Sequence, residues 1–183
     1  MNAPLGAIDR PNSYIGRSVP RPNAKRLLAG KGRYVTDLTL PRMVHAAFLR
    51  SPYAHARIVS IDAEAARAMP GVRLVATGAD LARICTPWTG TLDHFKGMKS
   101  PPQLPLPIDK AVWAGQAVVA IVADTRAQAE DAAEAVMVEF EELAAVIDID
   151  AAREPGADLV AEELGDNICF RARLDTGGIG LTG

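Results

Sequence analysis

The stretch QAVVAIVADTRAQAEDAAEAVMVEFEE, residues 116–142, decides the fold class of this chain. It begins with a continuous run of valine, isoleucine and alanine, which is typical of a strand buried on both faces. Thr125 and Gln128 then have the spacing of a capping box, and small apolar residues follow at helical spacing: Ala129, Ala132, Ala133 and Val136. From Val136 the period changes to two, with Val138 and Phe140 on one side. This strand–helix–strand pattern predicts an α+β fold.

Upstream of this stretch the sequence predicts shorter elements separated by turn residues. Asp62 can cap a short helix, which Pro70 and Gly71 end. Val59 and Ile61 are expected to lie on one side of a strand. The predicted elements are strands over 43–50, 57–62 and 72–77, a helix over 63–68 and a helical turn over 78–81. With residues 116–142 they predict a mixed sheet with two main helices.

Three regions of the chain differ in composition. Residues 1–20 are polar and contain three prolines, which predicts an extended N-terminal arm. Residues 21–147 hold the predicted elements, and residues 148–183 are expected to be a linker or tail. Its last stretch, LDTGGIGLTG at 174–183, is expected to pack little. Residues 86–110 form a long loop with five prolines, and loops of this length are often interfaces or lids. An exposed apolar patch is expected there, formed by Trp88, Phe95, Leu104 and Leu106.

The composition also argues against several classes of function. With 20 lysine and arginine residues against 22 aspartate and glutamate residues, no basic surface for nucleic acid is expected. Cys85 and Cys169 lie far apart, without the paired spacing of a zinc or iron–sulfur site. The N-terminus lacks the apolar core of a signal peptide, and no apolar run has membrane-spanning length. These observations predict a cytoplasmic protein that binds neither nucleic acid nor a membrane.

Motifs that carry chemistry are weak throughout the chain. AGKGR, residues 29–33, lacks the upstream glycine and the Ser or Thr of a phosphate-binding loop, and is expected to be a turn into a strand. GGIG, residues 177–180, does not match a dinucleotide-binding pattern. The histidines His45, His55 and His94 have no second histidine at ligand spacing, and no nucleophile elbow is present. We therefore assign no catalytic, cofactor-binding or metal-ligating residue to this chain.

RSPYAHARI, residues 50–58, is the stretch most easily mistaken for an active site. Pro52 removes an amide donor and ends the preceding strand, while Tyr53 and His55 have polar tips that can hydrogen-bond loop backbone. No acid–base pair, nucleophile or donor nest accompanies them. The stretch is therefore predicted to be a structural connection between two strands, and His55→Ala is expected to cost about 1 kcal/mol of stability.

Several motifs in a fixed order resemble one enzyme family. Residues 26–81 resemble the start of the large, molybdenum-binding subunit of the xanthine dehydrogenase, aldehyde oxidase and carbon monoxide dehydrogenase family, and the carbon monoxide dehydrogenase branch fits best. The matching positions there are Gly30, Tyr34, Asp37, 50–58, 61–62, 70–72 and 77–81. Residues 109–148 resemble a second block of the family, at Gly115, Gln116, 124–126 and 129–132.

The resemblance implies an α/β-hammerhead domain and places this chain at the N-terminal part of such a subunit. The complete enzyme would hydroxylate an aldehyde, an N-heterocycle or a carbon monoxide-type substrate. It would use molybdopterin and pass electrons to iron–sulfur and FAD subunits or domains. The family's pterin-binding loops and catalytic glutamate lie farther along, so this chain alone is expected to bind no cofactor and to be inactive. The alternative is a free-standing, non-catalytic hammerhead that acts as a binding or scaffold module.

Overall fold

The computed structural model describes residue 14 and residues 19–92 and 94–172. The chain divides into two compact units, residues 1–42 and 43–183. In the first unit, α1 is Ala24–Leu28 and a 3₁₀ turn follows at Val35–Asp37. Most of the extended arm predicted for residues 1–20 lies outside the described residues.

The second unit carries the remaining strands and helices. In chain order they are β1 (His45–Arg50), β2 (Ala56–Asp62), α2 (Glu64–Arg67), β3 (Val72–Thr77), α3 (Gly78–Leu81), β4 (Trp88–Thr89), β5 (Pro102–Gln103), β6 (Lys110–Ala111), β7 (Ala117–Ala123), α4 (Arg126–Glu134) and β8 (Met137–Glu142). Two 3₁₀ turns follow, at Ala151–Arg153 and Glu162–Leu164. The predicted α+β class is confirmed.

The strands form two three-stranded sheets and a small hairpin. The first sheet has the order β1-β7-β3, the second has the order β6-β2-β8, and β4 pairs with β5. All of these described pairs are antiparallel, so the expectation of one mixed sheet is wrong. The reason is that α4 leads the chain from β7 in the first sheet to β8 in the second. A strand–helix–strand pattern does not say whether both strands enter the same sheet.

The core lies between α4 and the first sheet. Thr125 and Gln128 form the predicted capping box, in which the Thr125 hydroxyl accepts from the Gln128 amide at 3.2 Å. Three alanines of α4, Ala129, Ala132 and Ala133, are buried, as the helical spacing predicts. They belong to the same core as the fully buried side chains of β7: Val118, Val119 and Ile121. Small residues on α4 allow the helix to approach the sheet closely, and aliphatic residues on β7 fill the space between them.

A bulge in β2 changes which side chains face the core. Ile58 pairs with Phe140 and Ser60 pairs with Glu139, so Val59 is the extra residue on this strand. Val59 is exposed, whereas Ile58 is buried and Ile61 packs against the core. The prediction that Val59 and Ile61 share one side is therefore wrong, because the bulge shifts the alternation by one residue.

The second predicted helix is only one turn long. Helix α2 spans four residues, and Gly71 adopts φ +81° just after it. The Asp62 carboxylate accepts a hydrogen bond from the Glu64 amide at 3.0 Å, as expected for a residue at a helix start. Among the described helices, α4 alone exceeds five residues, so the fold has one main helix rather than two.

Candidate functional site

The connection between β1 and β2 is tied to the start of β7 by its backbone. Ser51 is buried; its amide donates to the Gln116 carbonyl at 2.8 Å, and its carbonyl accepts from the Gly115 amide at 2.8 Å. The Arg50 guanidinium donates to the Gly115 carbonyl at 2.8 Å. The Ser51 hydroxyl also accepts from the Tyr53 amide at 3.1 Å. These contacts support a structural role for the stretch 50–58, because its polar groups are used in holding two loops together.

His55 is the most deeply buried ionisable side chain of this connection, with 6% of its surface exposed. Its Nδ1 lies 2.7 Å from the Ala144 carbonyl oxygen, and since a carbonyl only accepts, Nδ1 carries the proton and donates. The His55 carbonyl accepts from the Leu143 amide at 2.9 Å. His55 Nε2 is buried and has no hydrogen-bond partner among the described residues. The imidazole therefore hydrogen-bonds the backbone that follows β8 to the connection between β1 and β2.

Residues 160–170, named here the C-terminal segment, pack against the proline-rich loop. The Lys110 ammonium lies 2.6 Å from the Glu162 carboxylate, and the Lys99 ammonium lies 2.7 Å from the Asp166 carboxylate. The Lys99 amide also donates to the Cys169 carbonyl at 2.9 Å. These lysines are 52 and 67 positions away from the carboxylates they bind, so the pairs join distant parts of the sequence. The stretch predicted to pack little, 174–183, lies outside the described residues.

Both ion pairs stabilise charged carboxylates. Hydrogen bonding to Lys110 is the largest of several causes that lower the pKa of Glu162 below its usual value. Hydrogen bonding to Lys99 lowers the pKa of Asp166 in the same way. Both carboxylates are more than half exposed, so water and salt screen these interactions. The pairs therefore position the C-terminal segment more than they stabilise the fold.

A groove of about 470 Å³ lies between the proline-rich loop and the C-terminal segment. Its walls come from three stretches: 101–104, 107–116 in part, and 160–163, with Arg57 at one side. Trp113 and Ile108 contribute the largest apolar side chains that remain open to solvent, with 52% and 39% of their surfaces exposed. This groove is the main candidate binding site in the described part of the chain. Sequence reasoning missed it, because no local pattern predicts that residues 160–163 form one wall.

The predicted apolar patch in the proline-rich loop is only partly exposed. Leu106 is 2% exposed, and the expectation that it is exposed is wrong. Residues 106 and 107 run so close to Gly78 that a Cβ there would overlap the Pro107 carbonyl oxygen. Phe95 packs against Phe170 with ring centroids 4.9 Å apart. Trp88 remains exposed, as predicted. The loop thus closes part of the domain's own core and leaves another part open.

The glycine-rich motif near the start of the chain does not fit a pterin or a phosphate. Gly30 adopts φ +67° directly after α1, its amide donates to the Leu27 carbonyl, and the Lys31 amide donates to the Arg26 carbonyl. This is a Schellman motif that ends a helix, not the expected turn into a strand. Its amides are already used, and a helix C-terminus disfavours anions. GGIG at 177–180 lies outside the described residues.

Metal-ligating side chains are also dispersed. Among the described residues, no group of three or more His, Cys, Asp or Glu side chains could hold a metal ion. Cys85 is half-buried, Cys169 is exposed, and neither forms a disulfide. We therefore derive no catalytic step through molybdopterin from the residues of this chain.

Comparison with known proteins identifies the family. Residues 29–144 match the family described as "Aldehyde oxidase and xanthine dehydrogenase, a/b hammerhead domain". The chain belongs to this family. The solved structure of quinoline 2-oxidoreductase from Pseudomonas putida 86 is 45% identical and superposes with a TM-score of 0.73, over 84% of this chain and 19% of that one. The hammerhead fold expected from the sequence is thus confirmed.

Curated relatives extend the similarity beyond residue 144. The large subunit of nicotine 6-hydroxylase from Paenarthrobacter nicotinovorans is 37% identical over 94% of this chain and 22% of its own length. The large chain of carbon monoxide dehydrogenase from Hydrogenophaga pseudoflava is 38% identical over 90% of this chain and 20% of its own length. The chain therefore spans about a fifth of the length of the curated relatives it matches.

The structure shows how the residues on which the sequence resemblance rests are held in this hammerhead domain. Residues 50–58 and the pair Gly115–Gln116 hydrogen-bond each other, so the two motifs form one feature. In the motif at 77–81, Thr77 and Asp80 form a capping box. Asp124 binds Arg73 through two hydrogen bonds, of 2.7 and 3.0 Å. The longest helix in the described ranges, α4, has nine residues, which is too short to span a membrane.

Proposed function

We propose that this chain is the N-terminal hammerhead portion of the large subunit of a molybdenum hydroxylase. The observation that carries the proposal is the pattern of coverage. Similarity at 37–38% identity extends over 90–94% of this chain, yet it covers only 20–22% of relatives that are themselves large subunits or chains. A domain that matches almost entirely within a longer subunit is best explained as part of such a subunit.

In this proposal the chemistry belongs to the complete enzyme. That enzyme would hydroxylate an aldehyde, an N-heterocycle or a carbon monoxide-type substrate, and molybdopterin would supply the oxidising centre. Iron–sulfur and FAD subunits or domains would accept the electrons. The residues of the present chain supply a stable domain and a surface for the rest of the subunit. We assign them no catalytic, cofactor-binding or metal-binding role, and the chain alone is proposed to be inactive.

The native size of the protein tests this proposal. Antibodies raised against residues 43–172 should detect, in the source organism, a polypeptide about five times as long as this chain, as the coverage of its relatives implies. Detection of a 183-residue protein alone would contradict the proposal and favour the free-standing binding or scaffold module.

A second measurement tests the assignment of chemistry. The 183-residue chain and the polypeptide encoded by the whole reading frame are purified from the same host that makes molybdenum cofactor. Elemental analysis and dye-linked oxidation of aldehydes, purines and nicotine-like heterocycles are then compared. We expect molybdenum and turnover with the long polypeptide only. Stoichiometric molybdenum in the 183-residue chain would contradict the absence of site residues from it.

A further inference from the structure

We propose that the groove between the proline-rich loop and the C-terminal segment is the surface on which the polypeptide following residue 183 docks. This inference rests on the proposed function, because it requires a longer subunit. It goes beyond that function by assigning the contact to one surface and by stating the chemistry of the segment that fills it.

The first argument is where the described chain ends. Cys169 accepts a hydrogen bond from Lys99, and Phe170 packs on Phe95. Lys99 is two residues from Pro101, which lines the groove. The last described residue, Ala172, follows the groove wall at Glu163 by nine positions. Residues 173–183 span at most about 40 Å when fully extended. A surface within the reach of a tethered segment meets it at an effective concentration of about millimolar.

The second argument is the chemistry of the groove. Trp113 and Ile108 keep large apolar surfaces open to solvent, and the neighbouring proline-rich walls add rigid apolar contacts. Half-exposed aromatic side chains in a concave site are typical anchors of protein interfaces. The groove therefore fits an apolar side chain from the incoming segment.

The third argument is the charge that remains unpaired. Arg57 is bound by Glu141 at 3.0 Å and Lys110 by Glu162 at 2.6 Å, so both cations that line the groove are neutralised. Within the described part of the chain, Asp109 and Glu163 line the groove without an ion pair. Among the described residues, the groove therefore has two carboxylates without an ion pair and no cation without one. The incoming segment should carry a lysine or arginine next to its apolar side chain.

Oxidative footprinting with mass spectrometry tests the contact directly. The 183-residue chain and the complete large subunit receive the same radical dose, checked with a peptide standard. We expect labelling of Trp113 to fall about fivefold in the complete subunit, the change from a half-exposed to a buried side chain. Equal labelling of Trp113 in both proteins would overturn the inference, whatever happens at other apolar positions.

Two further outcomes identify other occupants and also overturn the inference. Protection of Trp113 in the 183-residue chain that grows with concentration would indicate a second copy of the chain. Protection of Trp113 in the complete large subunit that appears only after its iron–sulfur or FAD partners are added would indicate that a partner subunit fills the groove. These results differ from a failure of the proposed function. That failure would be seen in the antibody experiment, as the absence of a native polypeptide longer than 183 residues.

A matched pair of variants adds a test that does not depend on labelling. Ile108→Asp changes the groove, and Leu74→Asp changes a residue of β3 outside the groove, which is 54% exposed against 39% for Ile108. In the 183-residue chain both variants should retain the wild-type melting temperature within a few degrees. In the complete subunit, Ile108→Asp alone should raise the rate of protease cleavage within residues 173–183 about tenfold. Equal cleavage rates in the two variants would overturn the inference.

Discussion

Two regions of this domain are held together in different ways. The unit β7-α4-β8 is built from consecutive residues, and its contacts are apolar: buried alanines of α4 on buried aliphatic residues of β7. The proline-rich loop and the C-terminal segment are distant in sequence, and lysine–carboxylate pairs hold much of their contact. Apolar burial involves no titrating group and is not weakened by charge screening, whereas exposed ion pairs are screened by salt. The first region should carry the stability of the domain and the second its contacts with other protein.

The largest expected effect comes from removing a buried side chain of β7. Ile121 is fully buried in the centre of the first sheet. Ile121→Ala should lower the free energy of unfolding by about 4 kcal/mol, because it removes buried methyl groups and leaves a cavity. Urea denaturation followed by circular dichroism measures this change. Ile84→Ala, at an exposed position, is the control and should cost less than about 0.5 kcal/mol. Similar costs for the two variants would contradict the location of the core.

The next effect tests where the proline-rich loop joins the core. Gly78→Ala places a methyl group against the Pro107 carbonyl, which is backbone and cannot rotate away. We expect a loss of about 2–3 kcal/mol, together with faster proteolysis of the loop. Gly90→Ala is the control, because its methyl group would meet side chains and no backbone: the exposed Trp88 ring and the Ser100 hydroxyl, which can move. A neutral Gly78→Ala variant would show that the loop is not packed there.

His55 tests the connection between β1 and β2. His55→Ala removes the hydrogen bond to Ala144 and a buried ring, so the expected cost rises from the 1 kcal/mol predicted from sequence to about 2 kcal/mol. His94→Ala, in the proline-rich loop, is the control and should cost less than about 0.5 kcal/mol. In a cofactor-loaded complete enzyme, His55→Ala should keep its turnover at temperatures where it is folded. Abolished turnover with unchanged melting and molybdenum content would contradict a structural role.

The smallest effect is the pH dependence of the C-terminal segment. The pKa of Glu162 is lower in the folded chain than in the unfolded chain, so its pairing with Lys110 stabilises the segment at neutral pH. This stabilisation begins to be lost as the pH falls below about 4.5, and it is gone below the folded pKa. Protease cleavage within residues 160–170 should therefore increase on acidification. Glu162→Gln should already be cleaved faster at pH 7 and respond less to acid, whereas Glu163→Gln should behave like the wild type. Equal pH responses of Glu162→Gln and the wild type would contradict this assignment.

The sequence predicts the first region better than the second for a physical reason. A capping box, a helical repeat and a change of period to two are all local, so residues 116–142 contain the information that forms α4 and β8. The bulge at Val59 depends on pairing with β8, and the sheet to which β8 belongs depends on β2, about 80 residues away. The groove forms because Lys99 and Lys110 make ion pairs with carboxylates more than 50 residues later, which hold the C-terminal segment against the proline-rich loop. Local patterns carry no information about such pairs.

Amide hydrogen exchange tests the central claim most directly. The claim is that the unit β7-α4-β8 is stable in this chain alone, whereas the C-terminal segment is stabilised by contact with further protein. In the 183-residue chain, amides of β7 and α4 should exchange only through global unfolding, and those of residues 162–170 about 100-fold faster or more, through local opening. In the complete large subunit, exchange over residues 162–170 should slow by at least about tenfold, while β7 changes little. Equal protection of both regions in the 183-residue chain, or unchanged exchange of residues 162–170 in the complete subunit, would contradict it.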